Sequence, residues 1–423
     1  MSSYLALRCV ARRLSTAATS TATVEPLTIS QIKNRLRNAY DPDSALEIYS
    51  SFTAANDPTT SPASTRFVQE LTVRRLAKSH RFSDIKNFLE SHKSQPQIAQ
   101  EPFLSSLIRS YGRVGMFENA INTYNEMTDF GTPHTPLSFN ALLSACTDSK
   151  VYDRVPLYFS EFPSKFGFQP DKFSYGILIK AYCEMGQPEI AMEKLVEMEA
   201  KGLETGAVTF TTILHTLYKK GLVDEAVKFW DEMVNEKGVG LDVGCYNARL
   251  FHAHSGKPED VKGLIDEMIN AGIKPDTVSY NYLITCYCEN GMIDEAMKVY
   301  NEDILKAKGR NPNAATFRTL VFHLCKKGRF VTGYKVFKKS VDARKIPDFN
   351  TLKYLLEGLA KDEGHMDEVK GMIRTMNKKF PPELLKCWGK IVEELGLADV
   401  EVNTGEGEKK DEDESPETEK ASA

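Results

Sequence analysis

Asn140 with Asp171, Asn247 with Asp276, Asn281 with Asn313 and Thr211 with Asp242 each set a neutral hydrogen-bonding side chain about thirty residues ahead of a carboxylate or a second amide. An amide donates and accepts at once, and a carboxylate can accept from a ligand or orient an amide beside it. The chemistry on offer is recognition, such as pairing with the edge of a nucleic-acid base, and no bond need break. The same residue types have a second use, because Asn and Asp near a helix start cap the free N–H groups there. Both readings stay open on the residues alone.

Constellations for covalent or metal chemistry are missing. Eight cysteines are present, but there is no Cys-x-x-Cys. Cys286 and Cys288 are two apart on an expected helix and point in different directions. Cys183, Cys288 and Cys325 share one phase of the repeat set out below, as small apolar packing residues would. His252 and His254 have no further ligand at helical spacing. No His-x-Glu followed by Pro-Cys-x-x-Cys occurs, which removes zinc deaminase chemistry. No glycine-rich phosphate loop with a following Lys-Ser/Thr occurs either. The chain is expected to be no enzyme and to need neither metal nor cofactor.

The elements that position the pairs are helical hairpins. In residues 277–302, Val278, Tyr280, Leu283, Ile284 and Tyr287 recur at helical spacing, and so do Ile293, Ala296, Met297 and Tyr300. Gly291 lies between them, where a left-handed residue would end the first helix. One such hairpin cannot bury its own apolar face and needs copies on both sides. The copies share a phase: Gly115-Ala120-Met127, Gly186-Ala191-Met198 and Gly221-Ala226-Met233, with Gly291-Ala296 following and Asp303 where methionine is expected. The chain divides into units at 66–100, 101–135, 136–171, 172–206, 207–242, 243–276, 277–313, 314–348 and 349–382.

First helices open with Ser-Phe-Asn (138–140), Ser-Tyr-Gly (174–176), Thr-Phe-Thr (209–211), Cys-Tyr-Asn (245–247) and Ser-Tyr-Asn (279–281). Units close on Gln169-Pro170-Asp171, Lys274-Pro275-Asp276 or Ile346-Pro347-Asp348. This pattern resembles the pentatricopeptide repeat family, P class. A tetratricopeptide array has a similar period, but its Trp-Leu-Gly-Tyr pattern is absent. The resemblance implies an all-α, right-handed superhelical solenoid of about nine helix-turn-helix repeats that binds RNA one base per repeat. It also implies that the fifth and last residues of a unit read the base while the second forms an apolar wall. Asn140/Asp171 and Asn247/Asp276 then match the uracil type, Thr211/Asp242 the guanine type and Asn281/Asn313 the cytosine-or-uracil type. Val208 and Val278 are walls; Gly244 is not. Ser105/Thr135, Gly176/Gly206, Arg318/Asp348 and Lys353/Pro382 match no clear pair. The implied reading from the 136–171 unit onward is U-x-G-U-(C/U). Arg113, Lys219, Lys220, Lys326 and Lys327 end first helices where relatives turn a lysine to the RNA backbone, whereas Glu184 and Glu289 stand there in two other units.

The ends differ from the body. Residues 1–24 carry Arg8, Arg12 and Arg13, are rich in Ser and Thr, and contain no acid, which is the composition of a mitochondrial transit peptide. Residues 27–65 read as a worn repeat or N-terminal cap, and 383–397 as a capping helix with Trp388 and Leu395 on the last repeat. Residues 399–423 hold acids in excess and almost no large apolar side chains, so disorder is expected. The formal net charge of −4 is the sum of −7 in this tail and +3 in residues 1–24, so the body is near neutral.

These features point to a scaffold in the mitochondrial matrix that engages single-stranded RNA or rRNA, with the chloroplast as the alternative compartment. The first expectation is a component or associate of the mitochondrial ribosome, with mitochondrial ribosomal proteins as further partners. The alternatives are a free sequence-specific RNA-binding factor acting on an organelle transcript and a protein–protein scaffold. No membrane or small-molecule substrate enters any of these readings.

Overall fold

The computed structural model describes residues 29–39, 41–54, 62–307, 309–380 and 382–397. The expected leader and acidic tail lie outside them. Among the described residues every regular element is helical, and no helix is long and apolar enough to cross a membrane.

The chain divides into two compact units, Met1–Thr205 and Gly206–Ala423. The first contains α1 (Ile29–Asn38), α2 (Pro42–Ala54), α3 (Pro62–Lys78), α4 (Phe82–His92), α5 (Glu101–Arg113), α6 (Phe117–Asn125), α7 (Pro136–Asp148), α8 (Arg154–Phe166), α9 (Lys172–Glu184) and α10 (Pro188–Ala200). The second contains α11 (Ala207–Lys219), α12 (Val223–Asp231), α13 (Val243–Ala253), α14 (Pro258–Asn270), α15 (Thr277–Glu289), α16 (Ile293–Val299), α17 (Ala314–Lys326), α18 (Phe330–Asp342), α19 (Phe349–Leu359), α20 (Met366–Lys379) and α21 (Pro382–Glu394). Each expected repeat holds one hairpin. Within the first unit α5, α7 and α9 pack in succession; within the second, α11, α13, α15, α17 and α19 do the same.

Three local devices make the hairpins. Gly115, Gly186, Gly221, Gly291 and Gly328 end first helices in the left-handed conformation, and His80 and Lys150 take the same conformation without being glycine. Next, the small and large buried positions recur beyond the strict alanine and methionine pattern. Val155 and Phe162, Val261 and Met268, Gly333 and Ser340, and Val369 and Met376 occupy the same phase, all buried. Asx side chains cap the following first helix, as described below.

Two repeats longer than their neighbours absorb the excess in π-helical turns, Glu232–Glu236 and Tyr300–Leu305. A π turn takes an extra residue into the helix without breaking it. Asp303, where methionine is expected, is therefore only half-buried, and Ile304, one place later, is fully buried. At the far end α21 closes the second unit's core. Trp388 is fully buried, with its ring 6.1 Å from Phe349 and 5.5 Å from Phe380.

First helices approach closely where glycine allows it. A Cβ on Gly112 of α5 would lie 2.4 Å from the Ala145 Cα of α7, whereas one on Gly263 of α14 would meet nothing within 4 Å. Gly112→Ala should lower unfolding stability by about 1–3 kcal/mol through overpacking. Gly263→Ala should raise it by about 0.5–1 kcal/mol by removing helix-interior glycine. Urea denaturation of both variants checks the opposite signs.

Candidate nucleic-acid interface

The repeat boundary positions the paired side chains. Asp171, the residue before α9, accepts the Ser174 backbone N–H on Oδ1 at 2.8 Å, and its own N–H donates to Ser174 Oγ at 3.2 Å. The preceding first helix, α7, brings Asn140 to the same place. Asn140 Nδ2 donates to Asp171 Oδ1 at 3.0 Å, and Ser174 Oγ donates to Asn140 Oδ1 at 2.6 Å. Amide, carboxylate and hydroxyl thus close a ring across two repeats.

The same ring forms twice more. Asn247 Nδ2 donates to Asp276 Oδ1 at 3.3 Å while Ser279 Oγ donates to Asn247 Oδ1 at 2.7 Å; the Ser279 N–H reaches Asp276 Oδ1 at 2.9 Å. Asn281 Nδ2 donates to Asn313 Oδ1 at 3.1 Å, with Thr316 Oγ1 donating to Asn281 Oδ1 at 2.7 Å and the Thr316 N–H to Asn313 Oδ1 at 3.0 Å. Capping and amide orientation are therefore not alternatives, because one oxygen does both. In the two aspartate rings the carboxylate fixes which way the amide faces; in the third the Thr316 N–H orients Asn313, whose oxygen in turn orients Asn281. One amide N–H and further acceptor lone pairs remain uncommitted in each ring, enough to pair with one base edge.

Thr211 and Asp242 meet differently. Asp242 Oδ1 accepts the Cys245 N–H at 3.0 Å, and Thr211 Oγ1 lies 3.3 Å from Cys245 Sγ. Gly244 sits close against both: a Cβ there would crowd Asp242 Oδ1 at 3.1 Å and touch Thr211 Cγ2 at 3.7 Å. Among the pairs without a clear type, Thr135 donates to Glu101, which also accepts the Ser138 N–H, while Ser105 is buried. Asp348 accepts both the N–H and the hydroxyl of Thr351, and Lys353 pairs with Glu357 at 3.6 Å.

Val208 and Val278, the expected walls, are 77% and 39% exposed. Two more second-position residues were passed over in the sequence. Leu137 and Phe173 are also exposed apolar side chains, at 41% and 63%. The signal was their register, since each opens its unit just as Val208 and Val278 do. The second position thus carries an exposed apolar side chain in four units, 136–171, 172–206, 207–242 and 277–313.

Lys219, Lys220, Lys326 and Lys327 are exposed at the C-terminal ends of α11 and α17, where the helix dipole favours cations. Arg113 is different: its Nη1 lies 2.6 Å from Glu70 Oε2, so its charge is shared. Glu184 and Glu289 are exposed.

No group of three or more His, Cys, Asp or Glu side chains among the described residues is placed to hold a metal. His252 stacks on Tyr218, with ring centroids 4.8 Å apart. Six cysteines outside any disulfide are buried, and Cys387 is exposed. Burial pushes the thiols of Cys146, Cys288 and Cys325 up to about 12.

The sequence model of the PPR repeat family matches residues 170–219 and 275–326. That of the pentatricopeptide repeat domain matches 228–290, and that of the PPR repeat matches 104–132 and 208–237. The chain is 52% identical over 400 residues to the Arabidopsis thaliana small ribosomal subunit protein mL103 (rPPR7), covering 94% of this chain and 95% of that one. It is 53% identical to a mitochondrial pentatricopeptide repeat-containing protein of the same plant, covering 94% and 93%. The crystal structure of the maize pentatricopeptide repeat protein PPR10 is similar with a TM-score of 0.43 and 20% identity, covering 92% of this chain and 62% of PPR10.

Thiol chemistry follows from the burial. At pH 8, maleimide should label Cys387 in the folded protein, and the six buried cysteines only after denaturation, because a protonated thiol in a packed core is neither nucleophilic nor accessible. Peptide mass spectrometry of labelled protein checks this.

Proposed function

The chain belongs to the pentatricopeptide repeat family, and on that premise we propose that it is a non-catalytic, RNA-binding scaffold of mitochondrial gene expression, working as a component or close associate of the mitochondrial ribosome. The observation that carries this reading is the 52% identity to a small ribosomal subunit protein along nearly the whole of both chains. Repeat proteins of one family resemble each other locally wherever the hairpin pattern recurs. Identity sustained through the body and outside the repeats argues for the same set of surfaces, and function resides in surfaces rather than in the fold. The matrix location rests on the 53% identical mitochondrial relative and on the arginine-rich, acid-free start.

In this reading Asn140, Asn247 and Asn281 present their remaining amide groups to bases, each held by Asp171, Asp276 or Asn313. Leu137, Phe173, Val208 and Val278 are the walls on which bases pack, and Thr211 with Asp242 forms a looser pair. Lys219, Lys220, Lys326 and Lys327 meet phosphates. Few readable units and a near-neutral body favour rRNA held by shape and charge over a long single-stranded target. A free sequence-specific factor is the second reading, and the three amide rings, two of them beside exposed walls, favour it.

Organelle extract fractionated on a sucrose gradient separates the two. The protein should travel with small-subunit particles, and RNase treatment should release it as those particles fall apart. Protein that stays at the top of the gradient before RNase overturns the ribosomal assignment.

The base-reading residues have their own test. Asn247→Ala with Asn281→Ala should abolish the preference for an oligonucleotide containing U-x-G-U-Y over a scrambled one, at about 1–3 kcal/mol per lost contact. Lys219→Ala with Lys326→Ala should weaken both oligonucleotides equally and flatten the salt dependence. An unchanged sequence preference in the folded asparagine variant, measured by fluorescence anisotropy, sinks the base-reading role.

A further inference from the structure

The repeats that carry no readable pair hold a different site. Between α3 and α5, with Leu137 at one edge, lies a groove of about 260 Å³ lined by Arg66, Phe67, Gln69, Ser105, Arg109 and Arg113 among others. Two features separate it from an ordinary surface cleft.

The first is charge. Three guanidinium groups face one small groove. Glu70, also in its lining, is the opposing carboxylate, and it pairs with both Arg113 and Arg74. Arg109 is half-buried. Burial first, and then the charges of Arg113 and Arg66, hold its guanidinium below the usual arginine range; Asp148 acts in the opposite sense. Like charges gathered around a partly dry groove are costly unless an anion joins them. Lys33 and Arg37 of α1 add further cations at Phe67, 4.7 and 6.0 Å from the ring centroid.

The second is unused hydrogen bonding. Ser105 is 2% exposed and Gln69 3% exposed. Ser105 Oγ and Gln69 Nε2 find no hydrogen-bond partner among the described residues. Buried donors are nearly always satisfied, so an orphaned pair in the lining of a cationic groove marks a place where a ligand supplies the acceptors. A phosphate oxygen suits both, and a planar guanidinium meets phosphate through two parallel N–H groups.

We propose that this groove seats one phosphate group of a bound RNA strand, clamped by Arg66, Arg109 and Arg113 over Ser105 and Gln69. The proposal rests on the RNA-binding reading and adds an anchor where base reading is absent. An internal phosphodiester and a terminal phosphate monoester would supply the same oxygens. The apolar walls Phe67 and Leu137 flank the groove and suit the sugar or base attached to that phosphate.

The full chain is titrated with two 3′-labelled oligonucleotides of one sequence, bearing a 5′-hydroxyl or a 5′-phosphate, at several salt concentrations. Arg66→Gln with Arg109→Gln should weaken binding at least fivefold and lower the slope of log K against log salt by about 0.7, the value for one phosphate on a single strand. Lys262→Gln with Lys298→Gln, two exposed lysines on second helices, controls for general charge and should leave the slope within half of that change. Ser105→Ala should weaken binding about threefold while melting no lower than the parent, since it removes an unsatisfied buried hydroxyl.

A 5′-phosphate that tightens binding to the parent but not to the arginine variant identifies the terminal source. Equal loss for both oligonucleotides identifies the internal one. A folded arginine variant with the parent's affinity and slope for both overturns the groove and leaves RNA binding intact. A parent that binds neither oligonucleotide overturns the functional reading and the groove together.

Discussion

The oxygen that ends one repeat and starts the next governs this structure. Asp171, Asp276 and Asn313 each use a single Oδ1 to accept the third N–H of the following first helix and the Nδ2 of the preceding helix's asparagine. A cap of this kind contributes about 1 kcal/mol, and the amide hydrogen bond about 1.5–3 kcal/mol where the acceptor is the charged Asp171 or Asp276 and about 0.5–1.5 kcal/mol at the neutral Asn313. These are local sums, but their geometric effect extends further. Because the bond spans two hairpins, the distance and rotation between neighbouring first helices within a unit are set by side chains at the surface as well as by the core beneath.

That constraint explains how irregular repeats are tolerated. The first helices must keep their register, so additional residues enter the second helices, where the π turns at Glu232–Glu236 and Tyr300–Leu305 take them in. Left-handed turn residues complete the arrangement. Glycine is cheapest there, yet His80 and Lys150 hold the same conformation.

Much of this was legible in the sequence. The hairpin phase, the repeat borders and the helical class follow from apolar spacing and turn residues, which are local properties. Cys183, Cys288 and Cys325 are buried, as their shared phase implied. Less legible were the features that depend on contacts between repeats. Nothing local distinguishes Asp303 from a failed core residue until the π turn shows Ile304 in its place. Nothing local separates Leu137 and Phe173 from buried helix-start residues; their exposure does. Arg113 read as a free cation because Glu70, its partner, sits in the previous repeat. The orphaned Ser105 and Gln69 have no sequence signature at all, since an unsatisfied group is defined by what surrounds it.

The double use of the cap oxygen also changes what an Asn–Asp pair means. A pair that stabilises the repeat boundary would be kept whether or not any base is read, so its presence alone is weak support for recognition. What separates reading from capping is the remainder of the site: an uncommitted amide N–H, a fixed amide orientation and an exposed apolar wall beside it. Asn281 beside Val278 and Asn140 beside Leu137 meet all three conditions. Asn247 meets the first two, but Gly244 stands at its wall position and offers no side chain there. A base there would lack one face of its packing, so its hydrogen bonds would have to compete with water unaided. Wall and ring therefore coincide at only some repeats, and the side chains available to a bound base differ from one repeat to the next.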